Sequence, residues 1–495
     1  MIRQVTELED GAVLRSDVVI VGAGLAGIEL ARYLAGGGLR VVLLEGGRLE
    51  FDPAIQDLYR VSFAGKPLRT PETHPNTPPY LPQMYRGHVR IRQFGGTGRV
   101  WTGKWRIFDH WDFEPRPGIA HSGWPISLED LLPFYEEIAG DYGFGDFDAE
   151  ARGRMFQDAS KLLAPHGVIP HLFYWEKSTT RSGIRFFREL KQAAGIDTVL
   201  GANATEIVLD NSRRRVRAVR FMSLGGRSFT VEAARFALAM GGLEVPRLLL
   251  ASNNQIPTGV GNAHGLVGRF FMDHPKVKSR KLIPGKAMRH LSDAVQRTRR
   301  PAFVLSFSLS AELQRDLSLP NHAVTLHPVY QGRSRRPSHF ITHLGLEQVP
   351  NPESRVYLGS DLDALKMPRL IVDWRFTPLD HEALKIIQQG LAAAFQAAGL
   401  GRLEFGERPL TLDEMFDGAH HMGTTRMAAD PSHGVVDRNC RVFGTENLYV
   451  ASSAVFATGH AYSPTYTILA LARRLARHLL DENGRGSQNS TAERA

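Results

Sequence analysis

The chain opens on an alternation of apolar patterns that predicts a strand, a helix and a second strand. Residues 17–21 form a short β-branched run, typical of a strand buried in a parallel sheet. Residues 25–34 place leucines, an isoleucine and small alanines on one side of a helix. Residues 41–44 repeat the apolar run, which ends at Glu45. This order predicts a βαβ unit.

The next part of the chain loses this periodicity and then regains it. Residues 51–90 carry six prolines between positions 67 and 82, so we expect a long surface excursion of the kind that forms lids or binding arms. Residues 127–195 are mainly helical by pattern. Short strands recur between 197 and 236, which predicts a three-stranded excursion that returns to the first sheet.

Between about residues 275 and 406 the pattern changes to short strands separated by turns, which predicts an antiparallel sheet. The strand-like runs are 303–307, 323–326, 339–343, 355–358 and 369–374. A helix is predicted over 380–398. The last piece predicts a strand over 448–451 and a helix from Pro464 to about Leu480, with Ser463 as its N-cap.

These elements predict a mixed α/β and α+β architecture, in which a Rossmann-like domain is interrupted by a second domain built on an antiparallel sheet. The first domain spans 1–274, including the loop 51–90 and the helical insertion at about 127–195. The second domain spans 275–410. Residues 411–480 return to the first domain, and residues 481–495 are expected to be a disordered tail.

The first βα turn carries three glycines that point to a bound dinucleotide. Gly22 permits the tight turn, Gly24 lets the backbone approach a pyrophosphate, and Gly27 allows close helix–strand packing. Glu45 can accept hydrogen bonds from a ribose diol and disfavours a 2′-phosphate, which argues against NADP. Glycine is frequent here, 48 of 495 residues, so only the strand and helix context gives the motif its weight. The alternative is a glycine-rich helix start without a ligand.

A second glycine-rich turn over 94–103 can also approach a cofactor closely, through Gly95, Gly96 and Thr97. Aromatic residues surround it. They could stack on a sugar ring, but for most of them a core role is favoured.

Composition narrows the partners and the compartment. The formal charge is +9, but the basic clusters are scattered beside turns, which favours a solvated surface over nucleic-acid binding; an anionic substrate or acceptor protein stays open. Cys440 is the single cysteine, so an intrachain disulfide and a multi-cysteine metal site are ruled out, and no metal site is expected. No apolar run of about 18 residues and no export signal is present, so we expect no membrane span and a cytoplasmic protein.

Further motifs follow in a fixed order along the chain. They run over 267–275, 347–356, 420–427, 447–451 and 463–465. With the two glycine-rich turns, they resemble the glucose–methanol–choline (GMC) oxidoreductases. The motifs look more like those of the bacterial and pyranose-oxidase-like branch than those of the fungal glucose oxidases. The resemblance covers nearly the whole length. It implies one bound FAD, with its ADP half on the first glycine turn and Glu45.

The resemblance extends the implied FAD site to the C-terminal part, through Ala451, Pro464 and Thr465. The last helix would aim its N-terminus at the flavin edge where negative charge accumulates on reduction, and its dipole would stabilise that charge. Relatives with covalently linked flavin have a histidine where this chain has Val100, so non-covalent FAD is expected.

The resemblance also implies oxidation of an alcohol, with hydride transfer to flavin N5 and a histidine as the general base. Counting back from Gly423, that histidine is His420, with His421 as the neighbouring alternative. Histidine suits this role because its free pKa is about 6.5. The expected substrate is a sugar, glycoside or similar polyol-type natural product, and the acceptor is O2 or another electron acceptor.

The partner of this histidine departs from the family. Relatives have Asn or His immediately before Pro-Thr, and this chain has Ser463. Ser463 could bind substrate through water, His460 or Tyr462 could supply the missing contact, or the chemistry could be unusual or weakened. The departure leaves a second class open, an atypical or non-redox flavoprotein with lyase-like or structural FAD. A third class is an NAD-binding protein without flavin.

Overall fold

A computed structural model describes residues 1–68, 90–101, 103–143, 157, 159–175, 182–289, 302–332, 334, 336–404 and 410–492. The strands are β1 (Ile2–Gln4), β2 (Val13–Val21), β3 (Val41–Glu45), β4 (Ser62–Phe63), β5 (Lys104–Trp105), β6 (Val168–Trp175), β7 (Ile196–Leu200), β8 (Asn203–Leu209), β9 (Val216–Met222), β10 (Ser228–Leu238), β11 (Lys276–Pro284), β12 (Ala302–Leu309), β13 (His322–Val329), β14 (His339–Leu346), β15 (Arg355–Leu362), β16 (Pro368–Asp373), β17 (Gly401–Glu404) and β18 (Leu448–Val450). The α-helices are α1 (Leu25–Gly36), α2 (Pro53–Asp57), α3 (His110–Phe113), α4 (Leu132–Asp141), α5 (Ser182–Gln192), α6 (Gly241–Ala251), α7 (Ala311–Asp316), α8 (Pro378–Ala397) and α9 (Thr465–Ala492).

The first sheet has the strand order β1-β7-β3-β2-β10-β9-β8, with β18 paired to β10. Strands β2, β3, β7 and β10 form its parallel centre, with Val18 opposite Val41 in the register. Residues 18–21, the β-branched second half of β2, are buried there, as the apolar run predicts. Helix α1 follows β2 directly, so the predicted βαβ unit and Rossmann-like fold are confirmed.

The far end of the chain joins this same sheet. Strands β8, β9 and β10 pair antiparallel as the three-stranded excursion that the turns predict. Strand β18 then lies parallel to β10, with Leu448 opposite Phe236. Helix α9 packs against α1 and α4. The carboxyl ends of β2 and β18 therefore meet at one edge of the sheet.

A second sheet of seven antiparallel strands has the order β17-β11-β14-β13-β12-β6-β5, and α8 packs on it through a buried leucine and isoleucine face. Strand β6 adds a strand to the range 127–195, which the pattern predicts as mainly helical and which also contains α4 and α5. Its residues, Val-Ile-Pro-His-Leu-Phe-Tyr-Trp, are largely β-branched or aromatic, and eight of them pair with β12. Long-range pairing thus extends this sheet to residues far before position 275.

A third, small sheet joins β15, β16 and β4. Strand β4 and helix α2 lie in the excursion over 51–90, so this segment forms short regular elements before most of its prolines. Asp52 caps α2 by accepting hydrogen bonds from the N–H groups of Ala54 and Ile55. Residues 69–89 of the excursion lie outside the described ranges.

The last helix differs from the prediction at both ends. The Pro464 carbonyl accepts the first helical hydrogen bond, from the Ile468 N–H at 3.0 Å, so the helix begins one residue later than expected and Ser463 precedes its cap. The helix continues to Ala492, through most of the predicted tail. Isolated glycines such as Gly484 cost only about 1 kcal/mol in a helix, which does not force an end. Over the ranges given above, every helix is too short or too polar to cross a bilayer.

Candidate active site

One cavity is lined by residues from both ends of the chain. The predicted cofactor residues on its wall are Gly22, Gly24, Glu45, Gly96, Thr97, Pro464 and Thr465. The same cavity is lined by His420 and His421, which the sequence places more than 370 residues after Glu45. The edge where β2 and β18 end therefore unites the two terminal signatures in one site.

The glycines of the first turn have different spatial roles. Gly22 has φ +105°, and a Cβ there would lie 2.6 Å from the Ala239 carbonyl oxygen. A Cβ on Gly27 would lie 1.9 Å from the Gly22 carbonyl oxygen, so Gly27 packs the helix against the strand, away from the cavity wall. A Cβ on Gly24 would meet no atom within 4 Å. Gly24 thus leaves open space at the start of α1, where helix N–H groups favour a phosphate.

Glu45 lies at the tip of β3 and is held by the main chain. Its carboxylate accepts hydrogen bonds from the N–H groups of Ala23 at 2.8 Å and Gly47 at 2.7 Å. Burial raises the pKa of Glu45, while these two donors and Arg92 favour the charged form. The side chain is fixed at the cavity wall with lone pairs available to a diol.

The second glycine-rich turn packs directly on the first. Gly95 has φ +90° and donates its N–H to the Ala23 carbonyl at 2.9 Å. A Cβ on Gly96 would lie 3.1 Å from the Gly24 Cα. Gly95 thus positions the turn, and Gly96 and Thr97 face the cavity. The N–H of Ala451 forms a hydrogen bond that extends the sheet. The two residues after Ala451 line the cavity, and Ala451 itself does not.

A charged cluster on the cavity wall was not predicted as part of the site. Glu244 bonds Arg90 at 2.9 Å and Arg247 at 3.2 Å, and Arg92 lies 3.6 Å away. Burial opposes the charge of Glu244, but these three guanidinium groups hold its pKa below the usual value. Tyr59 lies against Arg90 and Arg92, with the guanidinium carbons 4.5 and 4.7 Å from its ring centre. Arg90 is the last residue of the proline-rich excursion and Arg92 comes shortly after it. No periodic pattern in the sequence indicates that either residue lies at a site.

His420 is half-buried at the cavity wall and is held by two neighbouring residues. Its Nδ1 lies 2.7 Å from Nδ1 of His274, and its N–H donates to Asp273 at 3.1 Å. Burial, then the charges of Lys276 and nearby histidines, holds the pKa of His420 well below its ordinary value. The imidazole is therefore neutral near pH 7, as a general base requires.

His421 lies on the same wall but faces a different group. Its Nε2 is 3.7 Å from Asp273 Oδ2, and its carbonyl accepts a hydrogen bond from Ser453. Burial lowers the pKa of His421 to about 3. Ligand atoms of Asp273, Asp417 and His421 lie within 4.8 Å of one another, as do those of Asp109, Asp112 and His460. The expectation of no metal site stays a prediction.

Ser463, His460 and Tyr462, the three candidates for the catalytic partner of His420, are not among the described residues that line the cavity. Ser463 Oγ accepts a hydrogen bond from Trp101 Nε1 at 3.3 Å and lies 3.3 Å from Thr465 Oγ1. His460 Nδ1 bonds Asp112 at 2.8 Å, and Tyr462 bonds Ser306 at 3.1 Å. Trp101 and Thr465 themselves line the cavity.

A parallel sheet with a glycine cradle at its carboxyl edge, joined to an antiparallel sheet, defines a dinucleotide-binding α/β protein. Residues 350–472 match the family model for GMC oxidoreductase. The chain is 25% identical to the fructose dehydrogenase large subunit of Gluconobacter japonicus, over 96% of this chain and 99% of that protein. It is 25% identical to paromamine 6′-oxidase of Streptomyces fradiae, over 93% and 90% of the two chains.

Solved structures share the fold along the whole length. Pyridoxine 4-oxidase from Mesorbium loti superposes with a TM-score of 0.61 at 20% identity, over 93% of this chain and 98% of that one. Formate oxidase from Aspergillus oryzae superposes with a TM-score of 0.62 at 18% identity, over 97% and 100%. The chain is similar to GMC oxidoreductases along nearly its whole length and is an FAD-dependent oxidoreductase.

The cavity fits FAD on its own geometry. The open face of Gly24 can receive the pyrophosphate, and the fixed carboxylate of Glu45 can receive the ribose diol. Pro464 and Thr465 bring the start of α9 to the other end of the lining. The residues present are therefore those that the cofactor needs.

A methyl group at Gly24 tests this placement. Gly24→Ala adds a Cβ that meets no protein atom and has an allowed φ of −77°, so we expect an unchanged melting temperature of the apoprotein. FAD affinity should fall by about tenfold or more, because the methyl group occupies the space next to the helix N-terminus. Titration of the apoprotein with FAD measures this. Gly36→Ala, in the same helix and also without a contact within 4 Å, is the control and should bind FAD normally.

Proposed function

We propose that this enzyme oxidises a CH–OH group of a sugar, glycoside or similar polyol, with His420 as the general base. The observation that carries the proposal is a half-buried, neutral imidazole on the wall of the cavity that holds the glycine cradle. Relatives named for fructose, paromamine, 2-methyl-1,2-propanediol and C-glycosides support a hydroxylated substrate.

The residues around the cavity divide into binding and proton-handling groups. Gly24, Glu45, Thr97 and Thr465 would hold FAD, which accepts a hydride when bound. Val100 also lines the cavity and offers no nucleophile, which supports non-covalent binding. His420 would take the hydroxyl proton as the C–H bond breaks, a contribution of about 10²–10⁴-fold.

The experiment for this proposal is anaerobic reduction of the bound flavin. The loss of visible flavin absorbance measures the reduction. A panel of sugars, glycosides and primary alcohols is mixed with the holoenzyme without O2. Bleaching by at least one polyol supports the proposal, and repeating the reactive substrate with O2 and with a dye separates an oxidase from a dehydrogenase. Retained FAD that no alcohol in the panel bleaches would favour the atypical flavoprotein instead.

The pH dependence of flavin reduction should show no acid limb near pH 6.5. Burial and the charges of Lys276, His274, His421 and Lys104 lower the pKa of His420, so the ring stays unprotonated as pH falls through the range of a free histidine. Base catalysis is then lost only at a pH well below 6.5. Stopped-flow reduction rates between pH 5.5 and 8.5 measure this. A limb with an apparent pKa of 6.5 or above would contradict a His420 base with a lowered pKa.

A further inference from the structure

The immediate partner of His420 is a fully buried histidine, His274. The two Nδ1 atoms are 2.7 Å apart, and the rings meet edge to face with centres 4.9 Å apart. Two ring nitrogens at this distance share one proton, so one of them donates and the other accepts. Which histidine donates determines which nitrogen of His420 can act as a base.

The other nitrogen of His274 decides the direction. Nε2 of His274 lies 3.0 Å from the carbonyl oxygen of Gly459. A carbonyl oxygen only accepts, so Nε2 carries a proton. Burial lowers the pKa of His274 to about 3, which keeps this ring neutral and leaves Nδ1 as a lone pair. His420 must therefore donate from its own Nδ1.

The consequence for His420 follows from its neutral ring. An imidazole with a single proton on Nδ1 has an unprotonated Nε2. No hydrogen bond joins Nε2 to any of the residues that the structure describes, and His420 lines the cavity. The lone pair of Nε2 is thus available to a hydroxyl group in the cavity.

The residue before His274 fixes the main chain of the same loop. Asp273 Oδ1 accepts hydrogen bonds from the N–H groups of His274 at 2.6 Å, Gly418 at 2.9 Å and His420 at 3.1 Å. Ala419, between two of these donors, has a left-handed φ of +60°. Asp273 therefore holds the loop in a strained conformation, and His274 orients the ring that the loop carries.

We propose that His274 is a positioning residue, which holds His420 in the Nδ1–H tautomer so that Nε2 is the base. This inference rests on the proposed function of His420. It assigns His274 no contact with the substrate. Its role is comparable to the carboxylates and carbonyls that fix the tautomer of catalytic or metal-bound histidines through their second nitrogen.

Two variants separate the acceptor from the packing of the ring. His274→Asn keeps an acceptor oxygen near the position of Nδ1, and His274→Leu has none. Both variants lose the hydrogen bond to Gly459. We expect His274→Leu to lower the limiting rate of anaerobic flavin reduction by about 10- to 100-fold, with FAD content and KM nearly unchanged. His274→Asn should recover most of that loss. Equal rates in the two variants, or a wild-type rate in His274→Leu, would overturn the inference.

Nitrogen-15 spectra of the histidine-labelled holoenzyme report the tautomer without turnover. The His420 signals are identified by their loss in His420→Gln. We expect a protonated Nδ1 and an unprotonated Nε2 in the wild type, and a mixture in His274→Leu. A protonated Nε2 in the wild type contradicts the inference directly. Normal flavin reduction by His420→Ala would instead contradict the proposed function, and this spectrum would stay unaffected.

Discussion

The variant His420→Ala should reduce its flavin about 10²–10⁴-fold more slowly than the wild type, while FAD stays bound. The side chain supplies the base, whereas FAD is held by residues elsewhere on the wall, such as Gly24 and Glu45. Anaerobic stopped-flow with the best substrate gives the limiting rate, and the visible spectrum after desalting gives FAD content. The loop itself is anchored by the main-chain N–H groups of Gly418 and His420 on Asp273, which alanine retains.

His421→Asn is the matched control, because His421 is the next residue in the chain and lines the same cavity. We expect this variant to keep its flavin and to reduce it within about tenfold of the wild-type rate, since only the loss of a transition-state interaction gives a larger change. The reverse pattern, a fast His420→Ala and a slow His421→Asn, would transfer the role of base to His421.

Arg116→Met should lower the free energy of unfolding by about 3–5 kcal/mol, because it leaves an unpaired carboxylate in the core. Arg116 makes two hydrogen bonds to Glu347, at 2.5 and 2.9 Å, and the two side chains are 1% and 0% exposed. Glu347 also accepts hydrogen bonds from the N–H groups of Gly459 and His460, in the segment that leads to α9. Urea unfolding of the holoenzyme, followed by circular dichroism, measures the loss.

Two comparisons show whether the unpaired charge is the cause. The double variant Arg116→Met/Glu347→Leu should recover part of the loss, because neither charge of this pair remains in the core. Arg40→Met breaks an exposed, solvent-screened pair with Asp17 and should lower the free energy of unfolding far less than Arg116→Met does. A loss in Arg116→Met as small as that in Arg40→Met would refute the argument.

The same ion pair predicts how stability responds to acid. Burial raises the pKa of Glu347, but Arg116 and the N–H donors lower it more, to about 2. A depressed folded-state pKa means that the contribution is fully present above the unfolded value of about 4.3 and is lost as the pH falls towards 2. The urea midpoint of the wild type should therefore fall more steeply than that of the double variant between pH 5 and pH 3.

Local patterns predicted those parts of the fold that depend on neighbouring residues. The β-branched run before Gly22 and the helical pattern after Gly24 specify a βα turn without help from distant residues, and that turn is present. Strand β6 could not be predicted in the same way. Its residues extend a sheet because β12, more than 120 residues later, offers a free edge for pairing.

The site shows the same division between local and distant contacts. The motif spacing predicted His420 and the glycine cradle, and the structure brings them to one cavity. The motif spacing did not predict that Ser463 would form a hydrogen bond with Trp101, 362 positions away. Arg90, which bonds Glu244, was missed for the same reason, since it lies 154 positions from that carboxylate.

By itself the sequence determined the glycine turns, the buried strands and the presence of an imidazole near the end of the chain, because φ restrictions and hydrophobic periodicity act over a few residues. Only the tertiary structure decided which groups surround that imidazole. His274 and His420 are 146 positions apart, and the direction of the hydrogen bond between them depends on a carbonyl at Gly459. A tautomer is set by contact geometry in a dry interior, and such contacts exist only once the sheets have packed.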